Sequence, residues 1–322
     1  MTVALAAACS PAPSSTRPSP PATASSALAA SPQARPAPPL EVAVTVDDLP
    51  THGPAFAGID RVEIAERLLA AFRAHKLPPV YGFVNGKKVD DEPASLAVLQ
   101  RWVGAGHPLG NHTYSHPSLN AVELADYLAD IDRGEEILRR LVPGEAIWKV
   151  YRYPFLFEGP TMEKREGVRR HLAARRYAVA EVTIDGDDWA WNPPFARCSD
   201  RGDRAALAEL RRGYVETHVS ELRYVREATR ALAGRDVKHV LLLHIGAADA
   251  DAIDELLTAY EREGVRFIDL PAAMADPFYA EDPARPSRAG AALPYQLAKA
   301  RGVALPPAPK RLAEEALEGT CR

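Results

Sequence analysis

Residues 41–50, EVAVTVDDLP, predict a buried strand that ends in two acidic side chains. The stretch alternates and then runs apolar up to Val46, which is typical of a strand in a core. Pro50 stops it, because proline has no N–H to give to a sheet. Asp47 and Asp48 are therefore expected at the carboxyl end of the first strand.

The same order, an apolar run followed by polar residues, recurs along the chain. Further strands are predicted over residues 79–84, 107–110, 147–151, 177–184, 237–243 and 265–268. Helices are predicted over 61–75, 94–103, 121–141, 162–174, 203–233 and 251–263, and Asn120 with Glu123 predicts a capping box for the third of them. Strands that alternate with helices predict a mainly parallel sheet, and about seven such units favour a barrel over an open sheet.

Residues 111–116, NHTYSH, follow the third predicted strand. His112 and His116 are four residues apart and can reach one divalent metal together. This spacing alone is a modest signal, but the carboxylate of Asp48 completes a set of two histidines and one acid that leaves positions open for water and substrate. Zinc is the default ion for such a set, and cobalt, nickel or iron can compete with it.

Three more polar clusters follow predicted strands: Arg152, residues 185–189 (DGDDW) and His244. In a βα barrel the carboxyl ends of the strands converge on one rim, where active sites are built. We therefore expect these clusters to meet the two aspartates and the two histidines. Arg152 would orient Asp47 or bind substrate.

The expected chemistry is hydrolysis of an acyl bond by water that the metal activates. Asp47 is placed to take a proton from that water, and His244 is the candidate acid for the leaving atom. A carboxylate would keep the histidine protonated, and either Asp188 or Asp185 can supply it. Trp189 offers an apolar wall for a small acyl group or a sugar face.

With these residues the chain resembles the polysaccharide deacetylases of the NodB-homology group, carbohydrate esterase family four. Five motifs appear in the family's order: residues 45–48 (TVDD) for T-F-D-D, 112–116 (HTYSH) for H-[ST]-x-x-H, 152–155 (RYPF) for R-x-P-[YF], 185–189 (DGDDW) for D-x-x-D-W, and 242–244 (LLH) for L-x-H. The resemblance covers about residues 41–270. It departs at Val46, which stands where the family has an aromatic residue.

The resemblance implies an α/β fold, a distorted (β/α)7 barrel of the NodB-homology type. It also implies roles for ten residues: Asp47 as base, His244 as acid, Arg152 and Asp188 as catalytic partners, Asp48, His112 and His116 as metal ligands, and Phe155, Trp189 and Leu242 at the substrate. In the family pattern the backbone N–H at the Phe155 position faces the oxyanion, and Trp189 and Leu242 line the acyl pocket.

The function expected from these residues is metal-dependent removal of acetyl groups from a carbohydrate, with the N-acetyl group of amino sugars preferred. One alternative is the same metal site acting on O-acetyl xylan or on a small amide that is not a sugar. A second is a carbohydrate-binding envelope protein with a degenerate site. The intact set of Asp47, Asp48, His112, His116 and His244 counts against that second alternative.

The composition of the chain argues against several classes of partner and site. The chain has 322 residues and a net charge of −4, and it has no stripe of Lys and Arg interleaved with aromatic residues, so no nucleic acid partner is expected. No apolar run reaches the length of a membrane span. The cysteines Cys9, Cys198 and Cys321 are too few for a zinc-cysteine site or a disulfide framework. A Cys198–Cys321 bridge can form in an oxidising compartment, but isolated thiols are favoured.

The ends of the chain differ from its middle. Residues 1–10, MTVALAAACS, resemble the end of a bacterial lipoprotein signal, although no basic residue precedes Arg17. Residues 10–40 predict a disordered Pro/Ser/Ala-rich linker, residues 41–275 the catalytic domain, and residues 276–322 an irregular tail with at most one helix near 310–317. A lipid anchor on Cys9 would place the protein at the cell envelope or outside the cell. The sequence makes no prediction of oligomeric state.

Several loop residues are open to two interpretations. His52 is predicted to be a surface histidine, with a substrate role as the alternative. Glu158 is expected either to line the rim or to be exposed. The segments 49–58 and 187–214, the latter with Trp191 and Phe195, are as consistent with substrate contact as with ordinary loops.

Overall fold

The computed structural model describes residues 39–54, 59–310 and 314–322, together with the isolated positions 4, 10 and 12. The predicted signal segment 1–9 and most of the linker 10–40 lie outside the described residues. Among the helices of the described ranges, none is long and apolar enough to cross a membrane.

A parallel sheet forms the centre of the fold. Its strands are β1 (Leu40–Leu49), β2 (Tyr81–Val84), β3 (Leu109–Asn111), β4 (Val150–Tyr151), β5 (Ala178–Val179), β6 (Ile184–Asp185), β7 (His239–His244) and β8 (Val265–Ile268). They lie in the order β5-β4-β3-β2-β1-β7-β6, and β8 pairs with the start of β1. All the pairs are parallel, so the carboxyl ends of the strands point the same way.

Helices connect the strands and cover the sheet. They are α1 (Arg61–Ala74), α2 (Gly86–Asp91), α3 (Leu96–Gly104), α4 (Leu124–Leu141), α5 (Glu145–Trp148), α6 (Met162–Ala174), α7 (Asn192–Asp200), α8 (Arg204–Ala233), α9 (Ala247–Arg262), α10 (Leu270–Met274), α11 (Leu293–Arg301) and α12 (Glu314–Gly319). Short 3₁₀ turns occur at Pro93–Ser95, Pro154–Leu156, Asp188–Trp191 and Pro277–Ala280. The predicted α/β class and the distorted barrel are thus observed.

The strand predicted over residues 177–184 is divided in two. Its first part, β5, pairs with β4, and its second part, β6, pairs with β7 at the other end of the sheet. Between them, the Ala180 N–H donates to the Tyr151 carbonyl at 2.8 Å, and the Thr183 N–H donates to the Val240 carbonyl at 3.1 Å. One stretch of chain therefore joins the two ends of the curled sheet, which explains why the barrel is distorted.

Two helix starts differ from the prediction. The predicted capping box is wrong, because α4 begins at Leu124 and the amide of Asn120 donates instead to the Arg288 carbonyl at 2.8 Å. Helix α9 begins at Ala247, four residues before its predicted start at Asp251. That earlier start places Asp249 in the first turn of α9, directly after the strand that carries His244.

The segment after residue 275 is more ordered than the sequence indicated. At most one helix was expected there, but both α11 and α12 form. Pro294 lies in the first turn of α11, where a missing N–H costs no helix hydrogen bond. The many prolines of this segment therefore mark helix starts as well as breaks.

The prediction of isolated thiols is wrong for two of the three cysteines. Cys198 of α7 and Cys321 are bonded as a disulfide, with their Cα atoms 5.3 Å apart. Arg197 holds the end of α12 beside α7 by donating to the carbonyls of Leu317 and Thr320, each at 3.1 Å. The two cysteines are 123 residues apart in sequence, so only this packing brings them together.

Candidate active site

The pairing of β1 with β7 places the predicted base beside the predicted acid. Asp47 is the register partner of His244 on the neighbouring strand. The next residue, Asp48, has a left-handed backbone (φ 69°), and the pairing register of β1 with β2 shifts around it, between Val46 and Leu49. Parallel strands that end at the same level therefore bring together residues from opposite ends of the sequence.

Asp48, His112 and His116 converge on one point. The Asp48 Oδ1 atom lies 3.7 Å from His112 Nε2 and 3.5 Å from His116 Nε2. The same oxygen is buried and accepts no hydrogen bond of good geometry from the described residues, although Lys88 Nζ lies 3.3 Å from it. The Nδ1 of His112 lies 2.8 Å from the Arg152 carbonyl, which accepts a hydrogen bond from it. The Nε2 atom of His112 is therefore the one available as a metal ligand.

These three residues fit a divalent metal. Ligands of an ion with bonds of about 2.1 Å lie roughly 3.4 Å from one another, close to the distances observed. A buried carboxylate oxygen that accepts no hydrogen bond of good geometry is costly to bury, and a bound ion would satisfy it. The donor set of two imidazoles and one carboxylate suits zinc and other first-row metals.

Two further residues hold Asp48 in place. The sequence did not point to Lys88, and it gave His52 a role in the site only as the alternative to a surface position. His52 Nδ1 lies 2.7 Å from Asp48 Oδ2, and Lys88 Nζ lies 3.3 Å from Asp48 Oδ1. Burial alone would raise the pKa of Asp48, but Lys88, the hydrogen bond from His52 and nearby His116 hold it well below its usual value. Asp48 is therefore ionised and ready to bind a cation.

His52 is not the surface histidine that was predicted. Its side chain is 21% exposed, and its ring lies 4.7 Å from that of His244, centroid to centroid. A turn brings it back over the strand end, because the Thr51 N–H donates to the Asp48 carbonyl and the His52 N–H donates to the Ile245 carbonyl. In the sequence, only the position of His52 four residues after Asp48 indicated that the two side chains could be in contact.

Asp47 is buried beside a buried arginine. Arg152 Nη1 lies 3.2 Å from both carboxylate oxygens of Asp47, while Nε donates to the Ala180 carbonyl and Nη2 to Thr45. Burial raises the pKa of Asp47 to about 6, although Arg152 and His244 act against the increase. A carboxylate with such a pKa takes up a proton more readily than an exposed one does, as a general base must.

His244 is held by Asp188, one of its two candidate partners. His244 Nδ1 lies 2.8 Å from Asp188 Oδ1, and the backbone N–H of His244 donates to Asp188 Oδ2. Asp185 accepts instead from the Asp187 N–H at 3.1 Å. With Nδ1 bound to Asp188, the Nε2 atom of His244 is the one left for a substrate.

A pocket of about 370 Å³ opens beside Asp47, Asp48 and His244, and aromatic and apolar residues form its walls. The set includes the three predicted substrate residues: Tyr153, Phe155, Leu156, Phe157, Trp189, Leu242 and Gly290. Phe155 and Trp189 are 50% and 41% exposed, respectively, which is unusual for such large apolar side chains. An apolar pocket with a few converging polar groups is the usual form of a site for a small molecule.

The tail supplies part of the wall, which the sequence did not indicate. A Cβ atom added at Gly290 would overlap the Phe155 carbonyl oxygen, so this close approach requires glycine. Ala292 packs with Leu242 and Val182 in a small buried cluster. The residues that follow the predicted catalytic domain thus shape the same pocket.

Of the remaining predicted residues, some line the pocket and others do not. Residues 55–58 of the loop 49–58 lie outside the described residues. The segment 187–214 is mostly helical, and Asp187 and Trp189 line the pocket, whereas Trp191 and Phe195 are buried in the core. Glu158 is buried and paired with Arg165 and Arg169, so neither the rim nor the exposed position applies to it.

Comparison with known proteins supports the family prediction. Residues 34–170 match the family model described as polysaccharide deacetylase. The chain is 29% identical over 149 residues to a peptidoglycan-N-acetylglucosamine deacetylase of Bacillus cereus, covering 46% of each chain. It is 29% identical over 114 residues to a chitin deacetylase of Colletotrichum lindemuthianum, covering 35% of this chain and 43% of that one. The chain thus spans less than half the length of these two relatives.

Solved structures agree on the fold. The chitin deacetylase of Colletotrichum lindemuthianum superposes with a TM-score of 0.51 at 22% identity, over 74% of this chain and 88% of that one. A polysaccharide deacetylase of Bacillus cereus gives a TM-score of 0.51 at 18% identity, over 72% and 92%. The predicted barrel is confirmed by these structures. The predicted family is confirmed for the part of the chain that matches the family model, residues 34–170, and this is a family of hydrolases.

Proposed function

We propose that this protein is a metal-dependent deacetylase that hydrolyses acetyl groups on a carbohydrate, with the N-acetyl group of amino sugars as its substrate class. One observation carries the proposal. The carboxylates of Asp47 and Asp48, the Nε2 atoms of His112 and His116 and the ring of His244 all face one pocket of about 370 Å³.

Asp48, His112 and His116 would hold the metal. When bound, a divalent metal lowers the pKa of water and polarises a carbonyl group, which is the chemistry that amide hydrolysis needs. His52 and Lys88 keep Asp48 oriented and ionised, and the Arg152 carbonyl keeps His112 in the tautomer that presents Nε2. Zinc is the proposed ion, with cobalt, nickel and iron as alternatives.

Asp47 would take the proton of the attacking water. It is buried, and Arg152 fixes its carboxylate through one guanidinium nitrogen that contacts both oxygens. Arg152 is itself immobilised by the Ala180 carbonyl and the Thr45 hydroxyl. We therefore assign Arg152 to positioning the base, the first of its two predicted roles.

His244 would give a proton from Nε2 to the leaving nitrogen. Asp188 accepts a hydrogen bond from the Nδ1–H group of the same ring and stabilises its positive charge. Trp189 and Leu242 form the wall beside this position and suit a methyl group. The backbone N–H of Phe155 is assigned to the oxyanion. These three substrate roles follow the motif positions.

The proposed location is the cell envelope, with Cys9 as the site of a lipid anchor. The support is the likeness of residues 1–10 to a lipoprotein signal. Detergent partition of the protein and of a Cys9→Ser variant tests it: the anchor requires the native protein alone to enter the detergent phase, and identical partition of both would contradict it.

The test of function is acetate release from chitooligosaccharides, peptidoglycan and acetylated xylan, with and without a chelator. Release from the amino sugar polymers that stops with chelator is the expected result. Release from xylan alone would favour the O-acetyl alternative, and hydrolysis of small amides alone would favour a substrate that is not a sugar. Glycan binding without any release would instead support the carbohydrate-binding protein.

A further inference from the structure

The segment that follows the predicted catalytic domain passes beside the active site at one place. Residues 287–293, here called the strap, run into α11, and Gly290 at their middle lines the pocket. Three hydrogen bonds from separate parts of the chain hold the strap: the Ser287 N–H to the Gly159 carbonyl at 2.9 Å, the Asn120 amide to the Arg288 carbonyl at 2.8 Å, and the Leu293 N–H to the Val182 carbonyl at 2.8 Å. Both ends of the strap are therefore fixed, and Gly290 lies between them.

The backbone next to Gly290 has an unfavourable conformation. Phe155 (φ 57°, ψ 13°) and Leu156 (φ 52°) are both in the left-handed region, which residues with a Cβ atom rarely adopt. Two such residues in succession persist only where the surrounding structure holds them. Part of that support is local, because the N–H groups of Leu156 and Phe157 donate to the carbonyls of Tyr153 and Pro154 at 3.1 Å each.

The strap supplies the rest of the support. Gly290 lies so close to the Phe155 carbonyl that an added Cβ atom would overlap its oxygen, and the same atom would lie 3.0 Å from Cδ1 of Phe157. Two residues further along, Ala292 belongs to a small buried cluster against which Leu156 packs. The strap thus packs on both left-handed residues, and a side chain at position 290 would push it away from the first of them.

The backbone of Phe155 matters because its N–H is the group assigned to the oxyanion. A donor of this kind is effective when it is held in place before the reaction, and a displacement of about 1 Å is enough to slow a reaction severely. The carbonyl and the N–H of Phe155 belong to one residue. At a fixed φ, packing that holds the carbonyl therefore also holds the N–H.

We propose that Gly290 is a positioning residue for the Phe155 N–H: because it has no side chain, the strap can close on the Phe155 carbonyl and hold the left-handed turn. The inference rests on the proposed function, in which this N–H binds the oxyanion. Gly290 belongs to none of the five motifs and lies outside residues 34–170, which match the family model. It acts through Phe155 and not by contact with the reacting atoms.

A second connection from the strap to the reaction runs through the metal site. The ring of Phe155 lies 4.4 Å from the ring of His116, centroid to centroid. A shift of Phe155 that disturbed this ligand would lower the metal content of the protein, whereas a shift of the N–H alone would slow the loaded enzyme. Metal content is therefore measured with every rate, and the proposal requires it to stay at the native level.

The first experiment needs no substrate. Hydrogen exchange of the full protein is followed by mass spectrometry in peptides that contain Leu156 and Phe157, whose N–H groups close the left-handed turn. In Gly290→Ala these amides should exchange about fivefold faster or more, because the turn opens more often. The control is Gly104→Ala at the end of α3, where an added Cβ meets nothing within 4 Å, and it should leave this exchange unchanged. Equal exchange in the native protein and Gly290→Ala would overturn the proposal.

The second experiment compares kcat and KM for acetate release in the presence of metal. Gly290→Ala should lower kcat by about 10- to 100-fold and leave KM within about twofold, because the oxyanion donor acts in the transition state and not on the bound substrate. Asn120→Ala removes one anchor of the strap but keeps the glycine, so it should lower kcat by about threefold. Gly104→Ala should match the native kcat.

The outcomes separate a positioning role from a packing role. A Gly290→Ala protein that melts at a lower temperature but keeps the native kcat would show that the strap only supports the fold, and the proposal fails. Loss of metal together with kcat would assign the effect to His116, which also overturns it.

A second variant keeps the test decisive if Gly290→Ala does not fold. Faster exchange in the turn together with a lower kcat in Asn120→Ala then supports the proposal, and native values of both contradict it. A native protein that releases no acetate from any substrate would refute the proposed function. The exchange result would still show whether Gly290 holds the backbone of Phe155.

Discussion

The site has two pairs of buried carboxyl groups whose charge is compensated in different ways. Asp47 and Asp48 form the metal-side pair, and Asp188 and Asp249 form the acid-side pair. Two like charges about 4 Å apart repel by roughly 4 kcal/mol near a protein surface, so a buried pair needs compensation. The metal-side pair has Arg152 and Lys88 against its oxygens. The acid-side pair instead has hydrogen-bond donors: His244 donates to Asp188, and Tyr214 and Asn192 donate to Asp249.

This difference matches the two halves of the proposed reaction. Arg152 and Lys88 allow both carboxylates of the metal-side pair to stay charged, so that Asp48 would bind the ion while Asp47 accepts a proton. On the acid side, Asp188 would hold the imidazole of His244 in the orientation that presents Nε2 to the substrate.

The largest expected effect comes from removing a ligand on the metal side. His112→Ala should lose the ion and reduce acetate release by a factor of about 10³ or more, because the metal supplies several kcal/mol of stabilisation to the transition state. Metal content and turnover are measured together on the same sample. Near-native metal content in this variant would contradict the ligand assignment.

The next effect separates the two members of the metal-side pair. Asp47→Asn should keep the ion, since Asp48, His112 and His116 remain, but should lower kcat by about 10²- to 10⁴-fold through loss of the base. Metal analysis and single-substrate kinetics check both parts. Near-native turnover would show that Asp47 is not the base.

A smaller effect is expected on the acid side. Asp188→Asn removes the charge that holds His244 and should lower kcat by about 10²-fold with the metal retained. The comparison variant is Asp185→Asn, at the other aspartate that the sequence offered as a partner, and its effect should be much smaller. Equal losses in the two variants would mean that the contact between Asp188 and His244 does not explain the acid.

The smallest effect concerns His52, whose Nδ1 atom contacts Asp48 Oδ2. His52→Ala should weaken metal affinity by about 10- to 100-fold, as is usual when a partner of a ligand is lost, and excess metal should restore turnover. His75→Ala, at a histidine that pairs with Asp254 and Glu261 away from the pocket, serves as the control. If excess metal fails to restore the His52 variant, its role lies in the chemistry and not in holding Asp48.

The sequence identified the metal-side pair more completely than the acid-side pair, for a physical reason. Asp47 and Asp48 are adjacent and end a strongly apolar strand, so both pattern and motif mark them. Asp188 was marked by its motif, but Asp249 lies in the first turn of α9 only because that helix starts four residues earlier than its apolar pattern indicated. The contacts of Asp249 with Tyr214 and Asn192 come from distant parts of the chain and leave no local signal.

The same limit applies to the fold. Strands with long apolar runs, such as β1 and β7, were predicted closely, and so was α6 at Met162–Ala174. The division of residues 177–184 into β5 and β6 was not, because which neighbours a strand pairs with depends on the closure of the whole sheet. Gly290 and the Cys198–Cys321 disulfide were missed for a similar reason, since both depend on where the tail packs.

The most direct test of the account is a metal titration of the stripped protein. The ion is removed with a chelator, zinc is added back in small steps, and acetate release from a chitooligosaccharide is measured at each step. The account predicts no release from the stripped protein and full recovery at one equivalent of zinc per chain, with no recovery in His112→Ala. Undiminished release after the metal has been removed would contradict the assignment of Asp48, His112 and His116 as the centre of the reaction.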